Sequence, residues 1–535
     1  MPAAGDPPRH ARSRLPHDTL WLVLFLACWL AVHALCFRSL GGWTGDTGKE
    51  FGVPQDLLAG KLLYRDTFWP YGPFPAYLNA ALMAVFGTHA DVLLLTARLL
   101  GLAICVQVYR LVRRTAGPVL SAMAAAAVLA LSTTSSYFAI PYSFATLWGT
   151  LLGLLGVEQV LRYAEGKPDD SDWSMAWAGL CCSLLLLAKF TIAGTVLVPG
   201  LMAIWFRARR VEAPRSWRVA CRGLVLLLAP VLLLALPVYA GFACVVRWDS
   251  LHLQAFGGFH AHNIRHGLLY SHLWETMLLR DGHGLYEFAA AGLVWGVLAV
   301  GALAALCLLP SSAQDRGGGR TEAFLCVVFA LLTLLQMNST CHVPYVFPAL
   351  LVACVLGLVR CRESGARWLR MAAHVALVVV LLGPVVVGGM RLSGTGRRTV
   401  TMETPGVSLR LLPQVGLPLQ RTLAEIQKAT APGESVAVLT GHDFLYQILD
   451  RPNELGYYYT MYEPFHLRWA EERLLERVRK ARFGVLVTTE NESFTYAYSQ
   501  EVPATRRRIL DGIFAGYDRV SGEDCRPYVV WRRRP

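Results

Sequence analysis

Four carboxylates lie close together after the first apolar run of this chain. They are Asp46, Glu50, Asp56 and Asp66, within WTGDTGKEFGVPQDLLAGKLLYRDTFWPYGPFPAYLNAALMAVFG, residues 43–87. An ionised group next to a membrane segment is costly and needs a reason to be there. A positioned Asp or Glu can take the proton of a hydroxyl as that hydroxyl attacks an electrophile. Asp46 is the first candidate for such a base, with Glu50 and Asp66 in reserve; the plain alternative is that Asp46 caps a helix in TGDTGKEF, since Asp is an ordinary N-cap. Cations placed to meet an anion are Arg65 in the same loop, Arg98 at the head of the next apolar run, and Lys189 between two apolar runs. A lone Lys in such a place either snorkels or meets a partner. Tyr64 and Tyr71 flank the same loop, and His342 follows a later apolar run in NSTCHVPYVFPAL. His342 is a hydrogen-bonding group for a phosphate or sugar, or else an interfacial helix cap.

A second cluster is made of histidines. His252, His260, His262, His266, His272 and His283 fall in one polar stretch. His262 and His266 are four apart and would share a helical face. With His260 they are the weak candidates for a divalent metal site. No Cys and few acids accompany them, so solvated side chains in a loop explain them as well. No cofactor is required by the sequence.

These groups are positioned by a membrane protein. Of 535 residues, 54% are hydrophobic and only 16% charged, against roughly 25% charged in soluble proteins. Apolar runs of about 20 residues recur, at about 18–37, 91–112, 118–137, 143–162, 174–189, 191–206, 223–243, 287–309, 323–337, 344–360 and 371–390. That predicts about eleven transmembrane helices. The net charge of +13 does not argue for nucleic acid, because Arg and Lys cluster in short loops between the runs, as the positive-inside rule expects. The alternation places the N-terminus inside and the C-terminus outside. The 13 Cys residues contain no CxxC pair and mostly lie in apolar runs, where Cys behaves as a small hydrophobe. No small-residue cleavage site clearly follows the first run, so it reads as a retained membrane helix.

Three regions follow. Residues 1–17 are a Pro- and Arg-rich cytoplasmic tail. Residues 18–391 are the transmembrane part, with a first outer loop at 38–90 and another at 244–286. Residues 392–535 have the composition of an extracytoplasmic α/β domain. There SVAVLTG, FGVLVTT and PYVVW read as strands, and Leu419–Ala429 and Leu467–Arg482 as helices. No GxGxxG follows a strand. Tyr71 to Phe86, apolar but broken by Pro73 and Pro75, reads as a helix lying at the interface.

The first outer loop carries a resemblance. Asp46, the run Ala59-Gly60-Lys61-Leu62-Leu63-Tyr64-Arg65-Asp66, Tyr71-Gly72-Pro73 and then Ala97-Arg98-Leu99 resemble the corresponding stretch of GT-C fold glycosyltransferases. The bacterial polytopic branch is the nearest, that of protein mannosyltransferases, lipid A aminoarabinose transferases and rhizobial lipopolysaccharide sugar transferases. One departure is that Asp46 is followed by Thr47, where many relatives carry an Asp-Glu pair. The resemblance implies a GT-C-like fold and transfer of a sugar from a polyprenyl-phosphate donor to a glycan, lipid or protein acceptor on the extracytoplasmic face of a bacterial inner membrane. It implies Asp46 as general base, with Arg65, Tyr64, Tyr71, Arg98, Lys189 and His342 as substrate contacts. Membrane lipids would be partners and nucleic acid would not.

Two other classes compete. A transporter or flippase of lipid-linked saccharides should carry ionisable residues mid-span and broken helices in matching halves; here the charges concentrate at span ends. A non-catalytic envelope-assembly protein would leave the acidic, aromatic first loop without a role. Arg506-Arg507-Arg508 and Arg532-Arg533-Arg534 are either solvated faces or contacts for anionic lipid or polysaccharide.

Overall fold

The structure, a computed structural model, describes residues 14–38, 47–134, 143–166, 171–211, 215–256, 319–334, 343–362, 367–395, 399–411, 413–431, 434–439, 443–455, 483–489 and 514–535, with Glu476 and Lys480. The chain is mostly helical. Helices α1 (Arg14–Cys36), α2 (Thr47–Leu58), α3 (Pro73–Phe86), α4 (Ala90–Arg113), α5 (Pro118–Thr134), α6 (Phe144–Glu165), α7 (Ser171–Ala188) and α8 (Gly194–Arg209) come first. They are followed by α9 (Arg215–Val245), α10 (Trp248–Ala255), α11 (Gly319–Leu334), α12 (Val343–Arg362) and α13 (Arg367–Thr395). Ten of the eleven expected spans coincide with helices; the eighth, about 287–309, lies outside the described residues. Among those described, α4, α6, α9 and Phe190–Arg209 are long and apolar enough to cross a membrane by length and composition.

Local chemistry sets the ends. Ser143 caps α6 by accepting from Thr146 N–H at 3.3 Å, and Gly166 closes it at φ +76°, the left-handed conformation glycine adopts freely. Within α9 a π-helical turn, Val231–Ala235, precedes Pro237, whose missing N–H interrupts the ladder. Gly149 and Gly156 on α6 have no Cβ to hold off Ile192 and Val196, the close approach that small residues permit between membrane helices.

The bundle has two unlike ends. At one, Arg110, Arg113 and Arg114 end α4, Arg162 lies in the last turn of α6, and Arg207 and Arg209 end α8. Glu158, 3% exposed, accepts from Gln107 Nε2 at 2.5 Å, Arg110 Nη2 at 3.0 Å and Arg162 Nη2 at 2.7 Å. Arg114 also pairs with Glu165. This network zips α4 to α6. Substituting Glu158→Gln keeps a carbonyl oxygen but removes the charge that two guanidinium groups face. It should lower stability by about 1–2 kcal/mol, read as a fall in thermal midpoint in detergent.

The other end carries α2, α3 and a C-terminal α/β unit. There β1 (Val400–Glu403) and β2 (Ser408–Leu411) pair antiparallel. A second sheet orders β3 (Val436–Val438), β4 (Val485–Thr489), β6 (Tyr528–Arg533) and β5 (Tyr517–Arg519). β3 and β4 are parallel, the remaining pairs antiparallel. The expected strands are β3, β4 and β6; Leu419–Ala429 falls in α14 (Pro413–Ala429), and most of Leu467–Arg482 lies outside the described residues. The hairpin and β5 were not legible, being three or four residues each. The unit sits on the loops beneath it. Ala90 N–H donates to Gly406 O at 2.9 Å, Arg410 N–H to Arg38 O at 2.8 Å, and Arg38 pairs with Asp91.

Candidate functional site

The first loop is built as a docked turn. After α2, Gly60 takes φ +82° and Tyr64 φ +67°, the second uncommon for a residue with a Cβ. Tyr64 is held there by a short helix from far along the chain. Ser250 Oγ and Gln254 Nε2 on α10 donate to Tyr64 O at 2.7 and 3.2 Å, and Gln254 Oε1 accepts from Trp69 N–H at 2.9 Å. Asp66 accepts from Leu62 N–H at 2.9 Å and from Arg65 Nη2 at 2.8 Å. The Tyr64 phenol, pushed well above its usual pKa by burial and then by the neighbouring Tyr239 and Tyr77 phenols, stays a neutral donor to Tyr71 O at 2.7 Å. Trp69 Nε1–H donates to Gly72 O at 2.8 Å.

That turn delivers Tyr71 to the α7–α8 corner. Gly72 N–H donates to Ala188 O at 3.0 Å, and a Cβ on Gly72 would stand 2.1 Å from Leu187 O. Gly72→Ala must therefore push the loop off the corner. The expected cost is about 1–3 kcal/mol, visible as a lower thermal midpoint, with wild-type stability counting against this docking.

Lys189, only 9% exposed, stands between α7 and the 3₁₀ turn Phe190–Ile192. Its Nζ donates to Thr146 Oγ1 at 3.3 Å and lies 5.5 Å from the centre of the Tyr71 ring. Lys49 of α2, 1% exposed, holds its Nζ 5.4 Å from the same ring, within cation–π range. Glu50, fully buried, accepts from Phe144 N–H at 3.1 Å through Oε2. It thus places negative charge at the N-terminus of α6, where the helix dipole favours it. Two buried ammonium groups, a buried carboxylate and Tyr71 gather where the first loop meets the bundle.

Lys189 also lines a small, partly open pocket. Thr146, Gly149, Thr150 and Gly153 of α6 form one wall; Ile192, Thr195, Phe329, Thr333, Tyr345 and Val346 contribute others. The threonines are less polar than they look. Thr150 Oγ1 donates to Thr146 O or Tyr345 O at 3.0 Å, Thr195 Oγ1 to Ile192 O at 2.7 Å, and Thr333 Oγ1 to Phe329 O at 2.8 Å. Their protons are bound by backbone carbonyls, which leaves methyl groups and acceptor lone pairs. The cavity is apolar with one ammonium at its first-loop end.

Of the residues singled out from sequence, Glu50, Tyr71 and Lys189 meet at this corner, and Tyr64 supports it from below. Arg65 and Asp66 pair with each other, Arg65 being more than half exposed. Arg98 is buried on α4 and is not among the cavity's lining residues. Asp46, His342, His260, His262 and His266 lie outside the described residues, though Thr47, next to Asp46, is buried at the start of α2. Among the described residues no group of three or more His, Cys, Asp or Glu is placed to hold a metal ion. Sequence reasoning missed Lys49, Thr146, Ser250 and Gln254. Lys49 adjoins Glu50 and was the one within reach of inspection.

No protein-family model and no curated protein sequence matches the chain. Among solved structures, the crystal structure of ArnT from Cupriavidus metallidurans bound to undecaprenyl phosphate superposes with a TM-score of 0.55 at 13% sequence identity. The match covers 96% of this chain and 98% of that one. The apo state of the same protein gives a TM-score of 0.51 at 15% identity, with the same coverage. The chain therefore has an ArnT-like fold, a helical membrane bundle with a small C-terminal α/β region, as the first-loop resemblance to GT-C enzymes implied.

Proposed function

We propose that this protein is a membrane glycosyltransferase that takes a sugar from a polyprenyl-phosphate donor and passes it to an acceptor hydroxyl. The observation that carries the reading is Lys189, a nearly buried ammonium at the loop end of an apolar cavity, roofed by Tyr71. An ammonium at that place can offset the charge of a lipid phosphate held at the membrane face. The ArnT-like fold supports this, since that protein was crystallised with undecaprenyl phosphate.

In this reading the acceptor hydroxyl attacks the anomeric carbon as the bond from that carbon to the phosphate oxygen breaks. The bonding electrons go to the phosphate, where Lys189 offsets the growing charge. The hydroxyl proton goes to a carboxylate. Asp46 is that base: it directly precedes α2, and Glu50, one turn on, is already engaged with Phe144 N–H. The arginine-rich end of the bundle faces the cytoplasm and the first loop faces out, in a bacterial inner membrane. Glycan, lipid or protein acceptors all fit this chemistry.

The test is purified protein in detergent, given a polyprenyl-phosphate sugar and membrane extract, with mass analysis of the products. Sugar moved onto an acceptor, with polyprenyl phosphate released, supports the proposal. Vesicles that carry the lipid-linked sugar across without transferring it would mark a flippase instead.

A further inference from the structure

We infer that the C-terminal α/β unit is a brace that sets the position of α2, and with it the site. The inference rests on the proposed reading only where it predicts turnover. Successive residues of a helix turn by about 100°. Gly48 and Phe51 therefore share one side of α2, while Lys49 and Glu50 straddle the opposite side. The contacts follow that division. On the first side, a Cβ at Gly48 would lie 2.4 Å from Asp443 Cβ and 2.5 Å from the Asp443 carbonyl carbon and Phe444 N. Phe51 meets Phe444 edge-on with ring centres 5.2 Å apart. On the second side, Lys49 reaches the Tyr71 ring and Glu50 the N-terminus of α6. A strut closes the far end of the helix: Lys61 Nζ pairs with Asp56 at 2.6 Å and donates to Asn453 O at 3.1 Å.

The brace is stiff because both parts are buried. Asp443 and Phe444 show no exposed surface, nor does Phe51. They lead into α15 (Leu445–Leu449), whose Tyr446 hydroxyl accepts from Val438 N–H of β3 at 2.9 Å. The sheet thus bears on α2 through Asp443 and Phe444, and α2 bears on the corner where Tyr71 and Lys189 meet. Phe444 and Gly48 are positioning residues: each lies on the side of α2 away from the corner. Any side chain at Gly48 meets backbone atoms of 443–444, so α2 and the sheet unit cannot keep their present spacing. A displacement near 1 Å is enough to cost about 10²-fold in a positioned reaction.

Two readouts on the full-length protein test this. Hydrogen–deuterium exchange of residues 47–58 should quicken by about tenfold or more in Phe444→Ala, with that of residues 144–165 unchanged. Unchanged exchange in α2 overturns the brace whatever the chemistry. For turnover, Gly48→Ala should lower kcat by about 10- to 100-fold while undecaprenyl phosphate affinity falls clearly less than kcat, because Lys189 is carried by the α7–α8 corner and not by α2. Equal loss of both, or wild-type kcat, overturns it. Should Gly48→Ala fail to fold, the milder pair Phe51→Leu and Phe444→Leu replaces it. Their effects on kcat should combine non-additively by at least about twofold, and strict additivity counts against the inference. Altered exchange in a protein whose wild type transfers no sugar would leave the brace standing and remove the proposed function.

Discussion

Replacing Lys189 by methionine is expected to weaken binding of undecaprenyl phosphate on the order of 10²-fold. Methionine keeps most of the side chain's length and apolar bulk, so the packing against Tyr71 and Thr146 is little disturbed. What disappears is the ammonium, whose Nζ lies 3.3 Å from Thr146 Oγ1 and 5.5 Å from the Tyr71 ring centre. Removing one partner of a desolvated charge pair costs about 2–5 kcal/mol, much of it from the charge left behind. The lipid tail should still hold to the apolar surface of the bundle, so residual binding is expected to track tail length and no longer the phosphate. Equilibrium binding in detergent, with undecaprenyl phosphate against undecaprenol, separates the two terms. Wild type should prefer the phosphate strongly; Lys189→Met should lose that preference. A variant that keeps it would take Lys189 out of the site and leave the cavity without its defining cation.

The second large effect is expected at Asp46. Asp46→Asn preserves size and hydrogen-bonding capacity but cannot accept a proton at neutral pH. Transfer should fall by about 10²–10⁴-fold, the usual share of a general base, with undecaprenyl phosphate affinity and thermal midpoint unchanged. The informative companion is Glu50→Gln. The Glu50 carboxylate receives Phe144 N–H at 3.1 Å in a fully buried position. Glutamine can still offer a carbonyl oxygen to that N–H, so turnover should stay within several-fold of wild type, while stability drops as the favourable charge at the α6 N-terminus is lost. Reversal of this order, with Glu50→Gln inactive and Asp46→Asn active, would transfer the role of base to Glu50 and reduce Asp46 to a cap on α2.

Much of the candidate site was readable from residue type and place. An acid shortly after the first span, a Lys between two apolar runs and an aromatic, proline-broken loop all pointed to one end of the bundle, because charge beside a bilayer is too costly to be incidental. Glu50, the reserve acid, Tyr71 and Lys189 meet there, while Asp46, the first choice, lies outside the described residues. By sequence the run from Ala59 to Asp66 carries the resemblance, two candidate contacts in Tyr64 and Arg65, and a reserve base in Asp66. In the structure the run makes a turn: Gly60 and Tyr64 adopt positive φ, Asp66 accepts from Leu62 N–H, and the Tyr64 hydroxyl donates a hydrogen bond to Tyr71 O. A motif in a loop can persist because the backbone must turn there as well as because a side chain does chemistry.

The residue pattern alone determined the membrane class, the place of ten apolar helices along the chain, the basic end of the bundle and the α/β character of the tail. Hydropathy and charge are properties of local stretches, and a bilayer sorts them with little help from distant parts of the chain. Tertiary structure decided which distant residues share a space. Lys49, Tyr71, Thr146 and Lys189 come from four separate elements. Tyr64 is held by Ser250 and Gln254, some 190 positions on, and α2 is braced by Asp443 and Phe444 from the far end of the chain. No periodicity records such meetings, because they depend on how whole helices pack and on where glycines such as Gly48 and Gly72 let two backbones touch.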